Sequence, residues 1–245
     1  LNCSFPYFGI YMTILLIAAD LSLGKVNKES LSQQTLMELL INGIDNKEAI
    51  TRSAEESTDI STWRQLEVHE NVRVNTVAWN NCNLRGTIDL QWLPSTVEVF
   101  QVSTNALHGS LHLKDLPPLL TILSFAHNAF SGSVDLQSLP PGLKHLYLNN
   151  NVLTGTVCLD SLPHKLLFLY LSGNRFSGPV DLTCLPETLM ELRLNANDFS
   201  GETDFSQLPE SLENLFVSDT ELSGEVPVMR DTLVFSEHSN VTFKQ

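Results

Sequence analysis

The sequence predicts a β-rich solenoid of the α/β horseshoe class, in which seven repeats of one short unit stack on each other. Two observations carry this prediction. Glycine recurs at every twenty-third position, at Gly86, Gly109, Gly132, Gly155, Gly178, Gly201 and Gly224. The dipeptide Leu-Pro keeps the same interval from Leu93-Pro94 to Leu208-Pro209. A period of about 20 to 30 residues with leucines in phase is typical of stacked repeats, whose units bury their core only against their neighbours.

Each repeat contains one short strand with two apolar residues on its inner face. Residues 143–165 carry the pattern Leu-x-x-Leu-x-Leu-x-x-Asn-x-Leu-x-Gly, and the other repeats align with it without gaps. Because side chains alternate along a strand, Leu146 and Leu148 are predicted to point inward, and His145 and Tyr147 outward. The same alternation predicts six more inward pairs: Val77/Trp79, Phe100/Val102, Leu123/Phe125, Leu169/Leu171, Leu192/Leu194 and Leu215/Val217. Connections of equal length imply one parallel sheet on the concave side.

An asparagine follows five of these strands, at Asn105, Asn128, Asn151, Asn174 and Asn197. An interior amide both donates and accepts hydrogen bonds, so we expect these side chains to pair with backbone groups where the chain leaves the sheet. Cys82 and Thr220 take this position in the end repeats. After the glycine, a segment such as Val134-x-Leu136 predicts a second short extended stretch, and the following proline disfavours long helices.

The first segment, residues 1–24, is predicted to be a secretory signal or leader. Its apolar run from Ile14 to Ala19 is too short for a spanning helix, which needs about 20 apolar residues. A small residue near Gly24 suits cleavage. A buried N-terminal segment is the alternative, since no lysine or arginine precedes the apolar run.

The remaining chain divides into a cap, a solenoid and a tail. Residues 25–73 are predicted to form an N-terminal helical cap and linker, with one helix within residues 30–45 that Ser30 caps and Asn42-Gly43 ends. Residues 74–228 are predicted to form the repeat solenoid. Residues 229–245 are predicted to form a C-terminal tail in which Leu233-Val234-Phe235 adds a shortened last strand.

Composition excludes several classes of function. The chain has 28 acidic and 14 basic residues and a formal charge of −14, which disfavours nucleic acid and anionic membrane surfaces as partners. It lacks a phosphate-binding glycine loop, zinc-ligand spacing and a Gly-x-Ser-x-Gly motif, so we predict no enzyme activity, no cofactor and no metal site. A disulfide between Cys158 and Cys184 is left open.

The repeats resemble leucine-rich repeats. The segments FSGSVDLQSLP, LTGTVCLDSLP and FSGPVDLTCLP are similar to the Leu-x-Gly-x-Ile-Pro class of plant extracellular receptors. The variant Gly-x-Val-Asp-Leu-x-x-Leu-Pro is similar to kinetoplastid and other protist leucine-rich repeat surface proteins. This resemblance implies a horseshoe solenoid and an extracellular setting, and the helix with Trp63 resembles the cap of the plant class, although its paired cysteines are missing.

The outward positions of the strands are the predicted ligand-binding surface. They bring an aromatic cluster together in the middle and C-terminal repeats, formed by His145, Tyr147, Phe168, Tyr170, Glu191, Arg193 and Phe216. Exposed aromatics and arginine on a concave sheet are typical of binding hot spots, whereas strands also favour aromatics for structural reasons. We therefore predict a protein or peptide ligand at these residues.

Two further patterns have local interpretations. Acids follow several of the glycines, at Asp89, Asp135, Asp181 and Asp204. Calcium binding is one hypothesis, and solvated turn residues that bond nearby amides are the preferred one. Asn2-Cys3-Ser4 and Asn240-Val241-Thr242 match the acceptor motif for N-glycosylation.

Together these features predict a secreted or cell-surface binding module that is not an enzyme, with a cytoplasmic location as the alternative. Two other functions stay open: a structural or adhesive repeat protein, and a regulatory arm or ectodomain fragment of a larger receptor or enzyme. Membrane attachment through the N-terminal apolar segment, or through sequence outside this chain, is also left open. The complete reading frame is the observation that would separate these alternatives.

Overall fold

A computed structural model describes residues 27–53, 58–69, 73–228 and 232–244 of the chain. The predicted leader, residues 1–24, and the first glycosylation motif lie outside these ranges. Two α-helices occur in the described part, α1 (Gln33–Leu40) and α2 (Glu48–Thr51). Single turns of 3₁₀-helix occur at Lys28–Ser30, Ile60–Thr62 and Leu90–Trp92. Within the described ranges, no helix combines the length and apolar character needed to cross a bilayer.

The described ranges contain seventeen strands, nearly all of them short. They are β1 (Leu66–His69), β2 (Arg73–Ala78), β3 (Arg85–Gly86), β4 (Val99–Gln101), β5 (Ala106–Ser110), β6 (Ile122–Ser124), β7 (Ala129–Gly132), β8 (His145–Tyr147), β9 (Val152–Gly155), β10 (Phe168–Tyr170), β11 (Arg175–Gly178), β12 (Glu191–Arg193), β13 (Asp198–Glu202), β14 (Asn214–Phe216), β15 (Glu221–Val226), β16 (Leu233–Phe235) and β17 (Asn240–Phe243). They form a nine-stranded concave sheet, in the order β1-β2-β4-β6-β8-β10-β12-β14-β16, and an eight-stranded second sheet from β17 to β3.

The concave sheet confirms the predicted parallel solenoid. From β2 to β16 every neighbouring pair is parallel, and partners such as Leu146 and Leu169 are one repeat period apart. The predicted inward residues are buried, among them Leu146 and Leu148, which have no exposed surface. Part of the predicted linker is strand β1, which pairs antiparallel with β2. It occupies the free edge of the sheet, where unpaired backbone groups would otherwise face solvent.

The asparagine ladder, formed by the five asparagines named above, is present as predicted. The Asn151 amide donates from Nδ2 to the Phe125 and Leu148 carbonyl oxygens, both at 3.0 Å. Its Oδ1 accepts from the Phe130 N–H at 3.0 Å. Phe125 and Phe130 lie on the preceding coil and Leu148 lies on the asparagine's own coil, so each amide ties two coils together. The other four asparagines repeat these contacts.

The second sheet corrects one prediction. The extended segment was expected after the glycine, at Val134-x-Leu136, but the strand β7 ends at Gly132. Val134 and Leu136 are buried outside any strand. Pairing starts earlier because the asparagine turn already sets the chain alongside the neighbouring coil, with Ser131 opposite Val152. Gly132 has φ of 81°, a left-handed conformation that side chains disfavour, and it turns the chain out of the sheet.

The N-terminal helix lies within the predicted range but starts differently. Ser32, rather than Ser30, is the N-cap, because its side chain accepts from the Thr35 N–H. Met37 and Leu40 on α1 join the solenoid core. Helix α1 also bonds to the first coil, where Gln33 Oε1 accepts from the Val74 N–H.

Candidate functional site

The seven predicted site residues lie on four adjacent strands of the concave sheet. We call His145, Tyr147, Phe168, Tyr170, Glu191, Arg193 and Phe216 the concave patch. They come from β8, β10, β12 and β14, and each points away from the core while its strand neighbours, such as Leu146 and Leu169, are buried. The patch residues are half-buried because they pack against each other. The fold therefore brings all seven together, and their role as a binding site remains a prediction.

Ring contacts run along and across the strands of the concave patch. Tyr147 and Tyr170 meet at 4.8 Å between ring centroids with an interplanar angle of 64°. His145 and Phe168 meet at 5.0 Å. Along one strand, Phe168 and Tyr170 are 6.3 Å apart and nearly perpendicular. Such edge-to-face arrangements are favourable for aromatic pairs, so the rings form one connected apolar surface.

Arg193 is held between two rings of the patch. Its guanidinium carbon lies 4.4 Å from the centre of Tyr170 and 4.6 Å from the centre of Phe216. Its Nε donates to Glu191 Oε1 at 2.5 Å. The Glu191 side chain is only 13% exposed, whereas that of Arg193 is 39% exposed. Neighbouring side chains therefore hold the guanidinium on both faces and at Nε, while part of the arginine side chain remains exposed to solvent.

Phe235 on β16 lies next to Phe216 and enlarges the apolar surface of the patch, and the sequence-based site did not include it. It stacks on Phe216 with ring centroids 4.3 Å apart and an interplanar angle of 3°. The predicted shortened strand at Leu233-Val234-Phe235 was the available signal, because its outward residue continues the column of Tyr147, Tyr170, Arg193 and Phe216. The step from Phe216 to Phe235 is shorter than the regular repeat period, and this difference hides Phe235 from a fixed-period alignment.

The electrostatics of the patch keep its phenols neutral. Burial, a hydrogen bond with Glu191 and the Glu191 charge raise the pKa of Tyr170 to about 12. Burial and Glu191 also raise the pKa of Tyr147. Burial, assisted by the Lys144 charge, lowers the pKa of His145, whose Nδ1 shares a hydrogen bond of 3.0 Å with the Tyr147 hydroxyl. Near neutral pH the patch therefore offers hydroxyl groups and an uncharged imidazole around one guanidinium.

On the N-terminal side of the patch, Gln101 and Ser124 take the positions of Tyr147 and Tyr170, and the polar side chains there bond to each other. Ser103 and Ser124 share a hydrogen bond of 2.6 Å between their hydroxyls. Asn80 Oδ1 accepts from the Ser103 N–H, and its Nδ2 donates to Gln101. The aromatic side chains of the concave face are thus concentrated in the concave patch and at the neighbouring Phe235.

The acids that follow the glycines are turn residues. Asp135, Asp181 and Asp204 each accept the backbone N–H two residues further on, at 2.8 to 2.9 Å. Side-chain bonds to Thr183 and Ser206, together with these backbone bonds, lower the pKa of Asp181 and Asp204. The preferred interpretation of these residues is therefore confirmed. Within the described part of the chain, Cys82, Cys158 and Cys184 carry free thiols.

No protein-family model matches the chain, and no curated protein does. Solved structures of plant receptors are similar in fold. The PEPR1–AtPEP1 complex has a TM-score of 0.63 at 23% identity, over 86% of this chain and 35% of that chain. The ectodomain of the receptor kinase GASSHO1/SCHENGEN3 from Arabidopsis thaliana has a TM-score of 0.58 at 16% identity, over 87% of this chain and 29% of that chain. Pollen Receptor Kinase 3 has a TM-score of 0.54 at 20% identity, over 85% of this chain and 95% of that chain.

The chain thus spans about a third of the length of the first two of these structures. At such identities the similarity concerns the fold. The repeat pattern and the parallel concave sheet agree with this similarity, and the chain has the solenoid fold of the leucine-rich repeat ectodomains of plant receptors to which it is similar.

Proposed function

We propose that this chain is a non-catalytic module that binds a protein or peptide on the concave face of its solenoid. The observation that carries this proposal is the concave patch, in which five rings and one arginine are gathered on adjacent strands and left half-exposed. Tyrosine and arginine are enriched at binding hot spots. A ligand that covered the patch would remove the remaining ring surface from water without requiring the scaffold to rearrange, because the strands are already paired on both sides.

The similar structures support a ligand of this chemical class. One of them is a complex between PEPR1 and AtPEP1. Another is a receptor-kinase ectodomain in complex with CASPARIAN STRIP INTEGRITY FACTOR 2. We propose that the binding segment of the present chain is residues 74–228, preceded by a cap in 25–73 and followed by a tail in 229–245.

The test is a selection from a library of random peptides, acetylated at the N-terminus and amidated at the C-terminus, against the full chain. We expect the wild type to enrich defined sequences that the triple variant Tyr147→Ala/Phe168→Ala/Tyr170→Ala no longer binds. A double variant, Leu119→Ala/Phe243→Ala, is the matched control, because it removes exposed apolar side chains that lie off the concave sheet. Circular dichroism before selection verifies that each variant is folded.

Equal enrichment by the wild type and the triple variant would contradict binding at the concave patch. If none of the proteins enriches any sequence, the peptide-binding function is contradicted and the alternative of a structural or adhesive repeat protein is favoured. Loss of enrichment in the control variant alone would indicate that the peptide binds at the second sheet or at the convex turns.

We also propose that the protein is secreted or displayed at the cell surface. Asn240 of the second glycosylation motif is exposed at the start of β17, so an attached sugar would not disturb the core. Expression in a secreting eukaryotic cell should deliver the chain to the medium with a sugar on Asn240, detected as a mass that a glycosidase removes and that Asn240→Gln lacks. Retention of an uncleaved chain in the cytosol would contradict this location.

A further inference from the structure

The guanidinium of Arg193 contacts its neighbours through both faces and through Nε, but its outer edge is left free. Both faces of its guanidinium lie against rings, and its Nε is bonded to Glu191. Among the described residues, neither Nη1 nor Nη2 has a hydrogen-bond partner. These two nitrogens form the outer edge of the planar fork, the edge with which arginine binds a carboxylate through two parallel bonds.

Glu191 supports the arginine without occupying that edge. One of its oxygens accepts from Arg193 Nε, so this carboxylate is paired within the patch. The Glu191 side chain is 13% exposed and therefore presents little negative surface to a ligand. In this part of the patch, the outer N–H donors of the Arg193 guanidinium thus remain available to a ligand.

We propose that Arg193 binds the carboxylate of an aspartate or glutamate side chain in the ligand, and this rests on the proposed function of the concave patch. The arginine is held by its neighbours before the ligand arrives, so little side-chain entropy is lost on binding. The Tyr147, Phe168 and Tyr170 rings lie one and two strands away from Arg193. They are positioned to accept apolar side chains of the same peptide.

The spacing of the strands predicts which sequence motif the peptide ligand should carry. Neighbouring strands are about 4.8 Å apart, and an extended peptide advances about 3.3 Å per residue. A peptide that crosses the strands therefore covers the distance from Arg193 to the β8 and β10 rings in about two to three residues. The ligand class is an extended peptide with an acidic residue two or three positions from a large apolar residue.

The experiment uses the same capped peptide library with four proteins: the wild type, Arg193→Gln, Arg193→Lys and Arg175→Gln. Arg175 is an exposed arginine on the second sheet and provides the matched control for loss of one positive charge. We expect the wild type and Arg175→Gln to enrich the acidic motif. Both Arg193 variants should bind those peptides about tenfold or more weakly, because a bidentate charged pair is lost. Thermal unfolding verifies that the variants are folded.

Each other outcome overturns a defined part of the proposal. Peptides that depend on the three patch rings but contain no acidic residue would refute the carboxylate site and leave the proposed function intact. If the wild type enriches no peptide sequence, both the carboxylate site and the proposed function are refuted. Full affinity in Arg193→Lys would refute the bidentate contact, since lysine keeps only the charge. In a second library with free C-termini, a preference confined to those termini would refute the acidic side chain as the source of the carboxylate.

Discussion

Replacing Phe176 with alanine is expected to lower the free energy of unfolding by about 3–5 kcal/mol, the range for large-to-small changes of a buried aromatic residue. Phe176 has no exposed surface, and its ring stacks on that of Phe199 in the next coil at 6.0 Å and 12°. The substitution removes the ring from the core and leaves a cavity between two coils. Urea-induced unfolding followed by circular dichroism measures the change.

The matched control is Phe176→Leu. Leucine occupies the equivalent position of the preceding coil, Leu153, which is also fully buried. This change should cost less than about 1.5 kcal/mol, because the site accepts an apolar side chain of similar volume. A loss below about 1 kcal/mol for Phe176→Ala would show that neighbouring coils collapse into the space and that the stacked rings contribute little.

Replacing Asn151 with alanine should destabilise the protein by about 1–3 kcal/mol, the cost of leaving a buried hydrogen-bonding group, here the Phe130 N–H, unpaired. The amide is 7% exposed, and it pairs with the Phe130 N–H and with the Phe125 and Leu148 carbonyls. These three backbone groups belong to two coils, and the substitution takes the same partner away from all of them. Chemical unfolding of the variant and of the wild type under the same conditions gives the difference.

Thr220→Ala provides the comparison, since Thr220 takes the asparagine position in a terminal repeat. Its hydroxyl donates to the Val217 carbonyl at 2.7 Å and accepts from the Leu222 N–H at 3.4 Å, and both partners lie in its own coil. We therefore expect a smaller loss of stability than at Asn151. Equal losses at the two positions would contradict the view that the ladder stabilises the stack by joining coils.

The concave strands could be predicted because their signal is repeated and local. Leu146 and Leu169 occupy the same place in successive repeats, and a shift of one residue would expose them to solvent. The asparagine ladder was predictable for the same reason, since a side chain that both donates and accepts recurs at the same bend of five successive coils. A period shared by several repeats thus determines how neighbouring strands pair, even when no individual side-chain contact is known.

Other features could not be predicted because they depend on how neighbouring coils meet. The position of the second sheet follows from the offset between partners such as Ser131 and Val152, which is shorter than the repeat period and is not revealed by it. Strand β1 forms because an open sheet edge is available beside it. The N-cap of α1 is Ser32 instead of Ser30, because the Ser32 side chain accepts the Thr35 N–H.

The candidate site shows the same division. The alternation of side chains placed Tyr147, Phe168, Tyr170 and Arg193 on one face from sequence alone, because outward positions of a strand follow from its period of two. The sequence by itself thus determined the repeat, the direction of the core and the composition of the concave face, which are all properties of single coils. Only the tertiary structure decided that Arg193 lies between Tyr170 and Phe216 with its outer edge free, because that arrangement depends on the packing of side chains from three separate coils.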